Sequence, residues 1–138
     1  MTLFTSGTDT MSRKAGHTCF AYLLVSIFVA LFGGIYEIFS HGVYSGYMIY
    51  AFAFPLVGGV LPFLTCCLSQ RFPHPGALVR NLYHSGIATL TTGSIVRGIL
   101  EIYGTTNSLS GLYWVLGIAL LLFAASLMCV QIFLRKSV

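Results

Sequence analysis

The sequence predicts an all-α integral membrane protein of four transmembrane helices, arranged as two tandem helical hairpins in a parallel 2+2 repeat. Three observations predict it. Hydrophobic residues make up 57% of the 138 residues and charged ones only 7%, against about 25% charged in soluble domains. So few charges cannot cover a water-facing surface, so most of the exterior must face lipid. The apolar residues fall into four runs, about 18–39, 47–68, 82–103 and 112–134; each is near the roughly 20 residues that cross a hydrocarbon core about 30 Å thick. Finally, Gly34-Ile-Tyr-Glu-Ile at the end of the first run is echoed by Gly98-Ile-Leu-Glu-Ile at the end of the third, sixty-four positions later.

Residues 1–17 are polar and rich in Thr and Ser, ending in Arg13-Lys14 and His17. They read as a frayed cytoplasmic tail ahead of a single domain, 18–138. The run that follows is of full spanning length and carries no A-x-A site, which sets it apart from a signal peptide. A short turn, Ser40–Gly46, leads to the second run. Pro55 and Pro62 there lack the N–H groups that would serve the carbonyls of Ala51 and Gly58. Hydrocarbon supplies no substitute donor, so this helix is expected to kink and to face protein or a wet cavity. Pro55, Gly58, Gly59 and Pro62 are the hinge candidates.

The linker 69–81 carries Arg71, Pro73, His74, Pro75 and Arg80, and its prolines bar a continuous helix. The third run is the least apolar, with Ser85, Gly86, Thr89, Thr91, Thr92, Gly93 and Ser94 besides Arg97 and Glu101. Small residues allow close helix approach, so a central place is expected for it. A polar turn, Gly104–Gly111, precedes the fourth run, which opens on Tyr113-Trp114 as an interfacial anchor and ends at Arg135-Lys136. Six of the seven basic residues lie in the two tails and the 69–81 linker, all on one side of a four-span chain, and the opposite turns hold none. The positive-inside rule then places both termini in the cytoplasm, with the cell membrane as the location.

On a helical wheel Ser26, Ala30, Gly33 and Glu37 share one stripe; a shift of sixty-four gives Leu90, Ser94, Arg97 and Glu101. The expected site is a cluster of Glu37, Arg97 and Glu101, with the guanidinium in the space that Gly33 leaves beside Glu37. Ionisable residues inside a span are functional candidates by default. Two carboxylates against one Arg suit a proton or a cationic group; a purely structural ion cluster that pins the helices is the competing account. His41 follows Glu37 by four residues and would meet it if the helix continued, as a proton relay or as an imidazole closing the helix. Tyr36, Phe39, Tyr44, Tyr47, Tyr50 and Tyr103 gather at the outer ends, as an interfacial belt or, more sharply, as an aromatic cage for a cation.

The four helices, the length and the glutamate in the first span resemble small multidrug-resistance transporters in architecture, although their glutamate lies deep in the membrane and Glu37 closes its span. Phe39-Ser-His-Gly-Val43 is similar to the Phe-Ser-Asp-Gly-Val stretch of a lysosomal potassium-channel family, with histidine for the aspartate.

The expected function is a small transporter or channel-like protein for a proton-coupled or cationic small solute. The alternative is a non-catalytic accessory or assembly subunit docking on a larger membrane complex through the small-residue face of the third helix. No nucleophile–base pair or metal-ligand spacing is recognisable, so no catalytic residue, metal or cofactor is assigned, and an enzyme is the least favoured class. Paired His17 and His84 ligation of haem has no C-x-x-C-H motif behind it. Cys19, Cys66, Cys67 and Cys129 read as small apolar packing residues. The expected partners are the lipid bilayer and a second copy or a larger membrane protein. Nucleic acid is not among them, since the basic residues are topology signals rather than a patch.

Overall fold

The structure, a computed structural model, describes residues 5–68 and 75–137, with side chains from 13 onward except at 66. The described residues are helical with no strand: α1 (Thr5–Phe39), then a broken second segment, then α5 (Ala77–Ile102) and α6 (Ser110–Lys136). Three stretches are long and apolar enough to cross a membrane: Arg13–Phe39, Gly46–Thr65 and Ser110–Lys136. α5 is long enough, but its hydroxyls and charges keep it out of that set.

α1 starts well before the expected boundary, so most of the polar tail is helix. Extending a formed helix fixes one residue per added hydrogen bond, without the cost of a new nucleus. α5 starts directly after Pro75-Gly76, five residues ahead of the expected run. Arg71, Pro73 and His74 lie outside the described residues.

The second segment is disrupted over more of its length than a single kink. It comprises α2 (Gly46–Ile49), α3 (Ala53–Pro55), a π-helical turn (Leu56–Val60) and α4 (Leu61–Leu68). The wide turn follows Pro55 directly, and Leu61 N–H donates to Leu56 O across it. The carbonyl that Pro62 deprives of a donor finds one outside its own helix: Tyr83 Oη on α5 donates to Gly58 O at 2.5 Å. Gly58 and Gly59 are packing positions too. A Cβ at Gly58 would meet the Ile87 side chain, and one at Gly59 would enter the Tyr22 ring.

Each segment packs chiefly on its neighbours in sequence: α1 on the second segment, the second segment on α5, and α5 most extensively on α6. α5 is thus central, and its small residues make it so. Gly86 and Gly117 bring α5 and α6 into near backbone contact, each lying where a Cβ would stand 3.3 Å from the other's carbonyl oxygen. The same economy holds at the turn end, where Gly33 and Gly98 face the main chain of Met48 from two sides. The interior includes Ser26, Ser45, Thr91, Ser94 and Ser110, while Phe28, Ile38, Leu122 and Phe133 are exposed. This inverts the usual water-soluble distribution.

Candidate functional site

The side chains predicted to form a site converge on the end of the bundle where α1 stops, α2 starts, α5 stops and α6 starts. The inward stripe of α1 runs through Tyr22, Ser26, Val29, Gly33 and Glu37, at steps of three or four residues. Ala30, expected on that stripe, is exposed. Glu37 is half-buried, and its Oε1 is fully buried with no hydrogen-bond partner.

α1 then stops. Ser40 Oγ lies 2.7 Å from Glu37 O and 2.6 Å from Val43 O, and the chain turns through His41 at φ 57° and Gly42 at φ 90°. Of the two accounts of His41, the relay that needed the helix to continue onto the Glu37 face is not formed, and the imidazole sits at the helix end as the other account has it. The left-handed backbone at His41 ends the helical register, and the imidazole is exposed. It lines a cleft of about 420 Å³ with Phe32, Tyr36, Phe39 and Tyr103, to which Glu37 does not contribute.

The expected ion cluster is corrected as well. Among the described residues Arg97 bridges neither carboxylate. Its guanidinium lies over the Tyr47 ring, 4.6 Å from the centroid. Glu101 Oε2 accepts a hydrogen bond from Ser45 Oγ at 2.6 Å, and Ser45 is itself 1% exposed. The space anticipated at Gly33 is filled by Met48, whose carbonyl oxygen would stand 3.1 Å from a Cβ there. With that route closed, the guanidinium takes an aromatic face, which suits a planar and weakly hydrated cation.

Arg97, Glu101 and Tyr47 nonetheless share one locality. Ser94 Oγ donates to Tyr47 O at 2.7 Å and ties α2 to α5. Trp114 at the start of α6 meets Tyr47 and Phe54 edge-on, at centroid distances of 6.1 and 5.6 Å. Between them opens a cleft of about 350 Å³ lined by Tyr47, Tyr50, Phe54, Ser94, Glu101 and Trp114. The anticipated aromatic cluster thus divides. Tyr47 and Tyr50 line this cleft, Tyr36, Phe39 and Tyr103 the other, and Tyr44 neither. Trp114, read from sequence as an anchor, joins the site through its ring, and its Nε1 is buried without a partner. Ser45 and Phe54 carried no sequence signal, because their roles depend on contacts across the bundle.

A second polar group sits deeper. Tyr22 Oη and His84 Nδ1 are hydrogen-bonded at 2.5 Å. Phe63 stacks on the His84 ring, 5.4 Å between centroids at 17°, and Tyr83 lies edge-on to it. His17 is exposed. His84 is thereby packed among rings from α1 and α4, at the level where Tyr83 reaches Gly58. Among the described residues no three His, Cys, Asp or Glu side chains gather as metal ligands do.

No protein family, curated protein or solved structure matches the chain.

Proposed function

We propose that the chain is a multi-pass protein of the cell membrane, with four spans in two tandem hairpins and both termini cytoplasmic, that passes a proton-coupled or cationic small solute. Its apolar exterior supports insertion. α5, too polar to face lipid around its whole girth, is flanked by the second segment and α6. The basic residues on one side of a four-span chain support the orientation. Four helices enclose little volume, so the reading includes a homo-oligomer or a larger membrane partner.

One observation carries the transport reading: Glu37 Oε1 is buried and accepts no hydrogen bond. A carboxylate retained only to pin helices would be matched by Arg97, since a buried polar atom left unpaired costs about 1–3 kcal/mol. An unmatched acid within a span is instead ready for a proton or a cation. In this reading Glu37 is the exchanging acid, Glu101 and Arg97 set the local field, His41 stands at the mouth, and the Pro55–Pro62 segment with Gly58 and Gly59 is the moving element. The accessory-subunit reading keeps a narrower docking surface, because Gly86, Gly93 and Gly98 are covered by Leu121, Tyr113 and Met48 while Ser85, Ala88 and Thr92 of the same helix are exposed.

The test is proton flux into vesicles carrying the purified protein and an internal pH indicator, driven by cation gradients. The expected result is a cation-dependent flux that Glu37→Gln abolishes while the variant remains folded. Flux equal to that of empty vesicles, or an unaffected variant, would overturn the reading.

A further inference from the structure

Four rings and one carboxylate frame the cleft between α2, α3, α5 and α6, and their chemistry selects among cations. We infer that this cleft binds an organic ammonium cation, of the quaternary or methylated type, through Tyr47, Tyr50, Phe54, Trp114 and Glu101. The inference rests on the transport reading only for its biological purpose; the binding chemistry stands on the cleft.

A small metal ion needs several oxygen ligands at short range, and the lining offers one carboxylate beside the neutral hydroxyls of Ser94, Tyr47 and Tyr50, the first already bonded to Tyr47 O. A large, weakly hydrated cation asks for aromatic faces and one countercharge, which is what the lining supplies. The volume of about 350 Å³ is at the small end of ligand sites, which run from about 300 to 1,000 Å³. It fits a headgroup-sized molecule.

The site is also built rather than incidental. Ser45 holds Glu101 Oε2, fixing the carboxylate while its Oε1 makes no bond to the described residues. Ser94 holds the Tyr47 main chain, and Trp114 sets its edge against both Tyr47 and Phe54. Tyr50, 66% exposed, forms the rim. Tyr47 already carries a cation on its ring, the Arg97 guanidinium. Arg97 adds like charge to this end of the bundle but is not part of the lining, and Glu37 and Glu101 outnumber it.

The ammonium could arrive as a free solute or as the choline headgroup of a lipid, because the proposed topology sets the cleft, at the turn end of the bundle, beside the membrane boundary. Trp114 is the only tryptophan, so its fluorescence reports the cleft alone. The full chain is placed in nanodiscs of phosphatidylglycerol or of phosphatidylcholine and titrated with tetramethylammonium chloride, against sodium chloride at equal ionic strength. A saturable change with tetramethylammonium only, in both lipids, establishes a free-solute site. The change in phosphatidylglycerol, with a phosphatidylcholine baseline already at the bound value, establishes a headgroup site.

Either result requires that Tyr50→Leu weaken binding by about two- to fivefold, that Glu101→Gln weaken it as well, and that Tyr50→Phe retain it. The inference is overturned if sodium reproduces the change, if neither lipid shows one, or if the Leu and Gln variants bind like the parent. Binding here without proton flux would sink the transport reading and leave the site standing. Flux without binding would sink the site alone.

Discussion

Replacing Tyr83 by phenylalanine removes one oxygen, the one that serves the carbonyl orphaned by Pro62. The ring keeps its edge contacts with Phe63 and His84, so the substitution isolates the hydroxyl. A net hydrogen bond contributes about 1 kcal/mol, and a buried carbonyl left without a donor costs about 1–3 kcal/mol. Interhelical bonds within membrane proteins average about 0.6 and reach about 1.7 kcal/mol. Residue 62 has no N–H to offer Gly58 O, so we place the loss near the top of that range. We expect about 1.5 kcal/mol in reversible unfolding from mixed micelles, and a Tm lower by roughly 4–6 °C for a chain of this length.

The decisive arm is the double-mutant cycle with Pro62→Ala. Alanine returns an N–H within reach of Gly58 O, so in that background Tyr83→Phe should cost only about 0.5 kcal/mol, a coupling near 1 kcal/mol. Equal costs in both backgrounds would refute the claim that the tyrosine stands in for the missing amide.

Two further outcomes rest on glycine and on turn geometry. Gly59→Ala drives a methyl into the Tyr22 ring and should cost about 2 kcal/mol or more by overpacking, whereas Gly34→Ala, with nothing within 4 Å, should stabilise the same helical protein by about 0.5–1 kcal/mol; thermal unfolding of the pair checks both signs. His41→Gly relieves a left-handed backbone that costs an L-residue about 1–2 kcal/mol, partly offset by the greater entropy glycine loses on folding. A small gain in Tm is expected there and a loss for Gly42→Ala.

What the sequence makes readable follows from the range of each force. Periodicity and run length report on the chain alone, and they placed the four helical segments, the central α5 and the break between Pro55 and Pro62. Charge pairing does not work that way. The spacing of Arg97 and Glu101 allowed a pair, but where a long side chain settles is decided by a neighbouring helix, here through Tyr47 and Ser45. Gly33 was read as space for a guanidinium, while main chain from Met48 occupies it. The sixty-four-residue echo likewise marks similar local sequence without matching surroundings: Gly34 faces open space and Gly98 is pressed against Met48. The end of α1 at Phe39 was legible as the close of the first run, while the turn conformation behind it, with positive φ at His41 and Gly42, is announced by residue type only at Gly42.

The close crossing of α5 and α6 at Gly86 and Gly117 bears on how the chain reaches its resting place. In the proposed bilayer setting α5 would partition poorly alone, carrying hydroxyls on both its buried and its exposed sides and two charges near its end. Its successor is strongly apolar and joined to it by a short polar turn, so the two would enter together as a preassembled pair. Biogenesis of the third span would then wait on synthesis of the fourth, and a nascent chain halted after Ile102 would expose a helix that quality-control machinery recognises as unfinished.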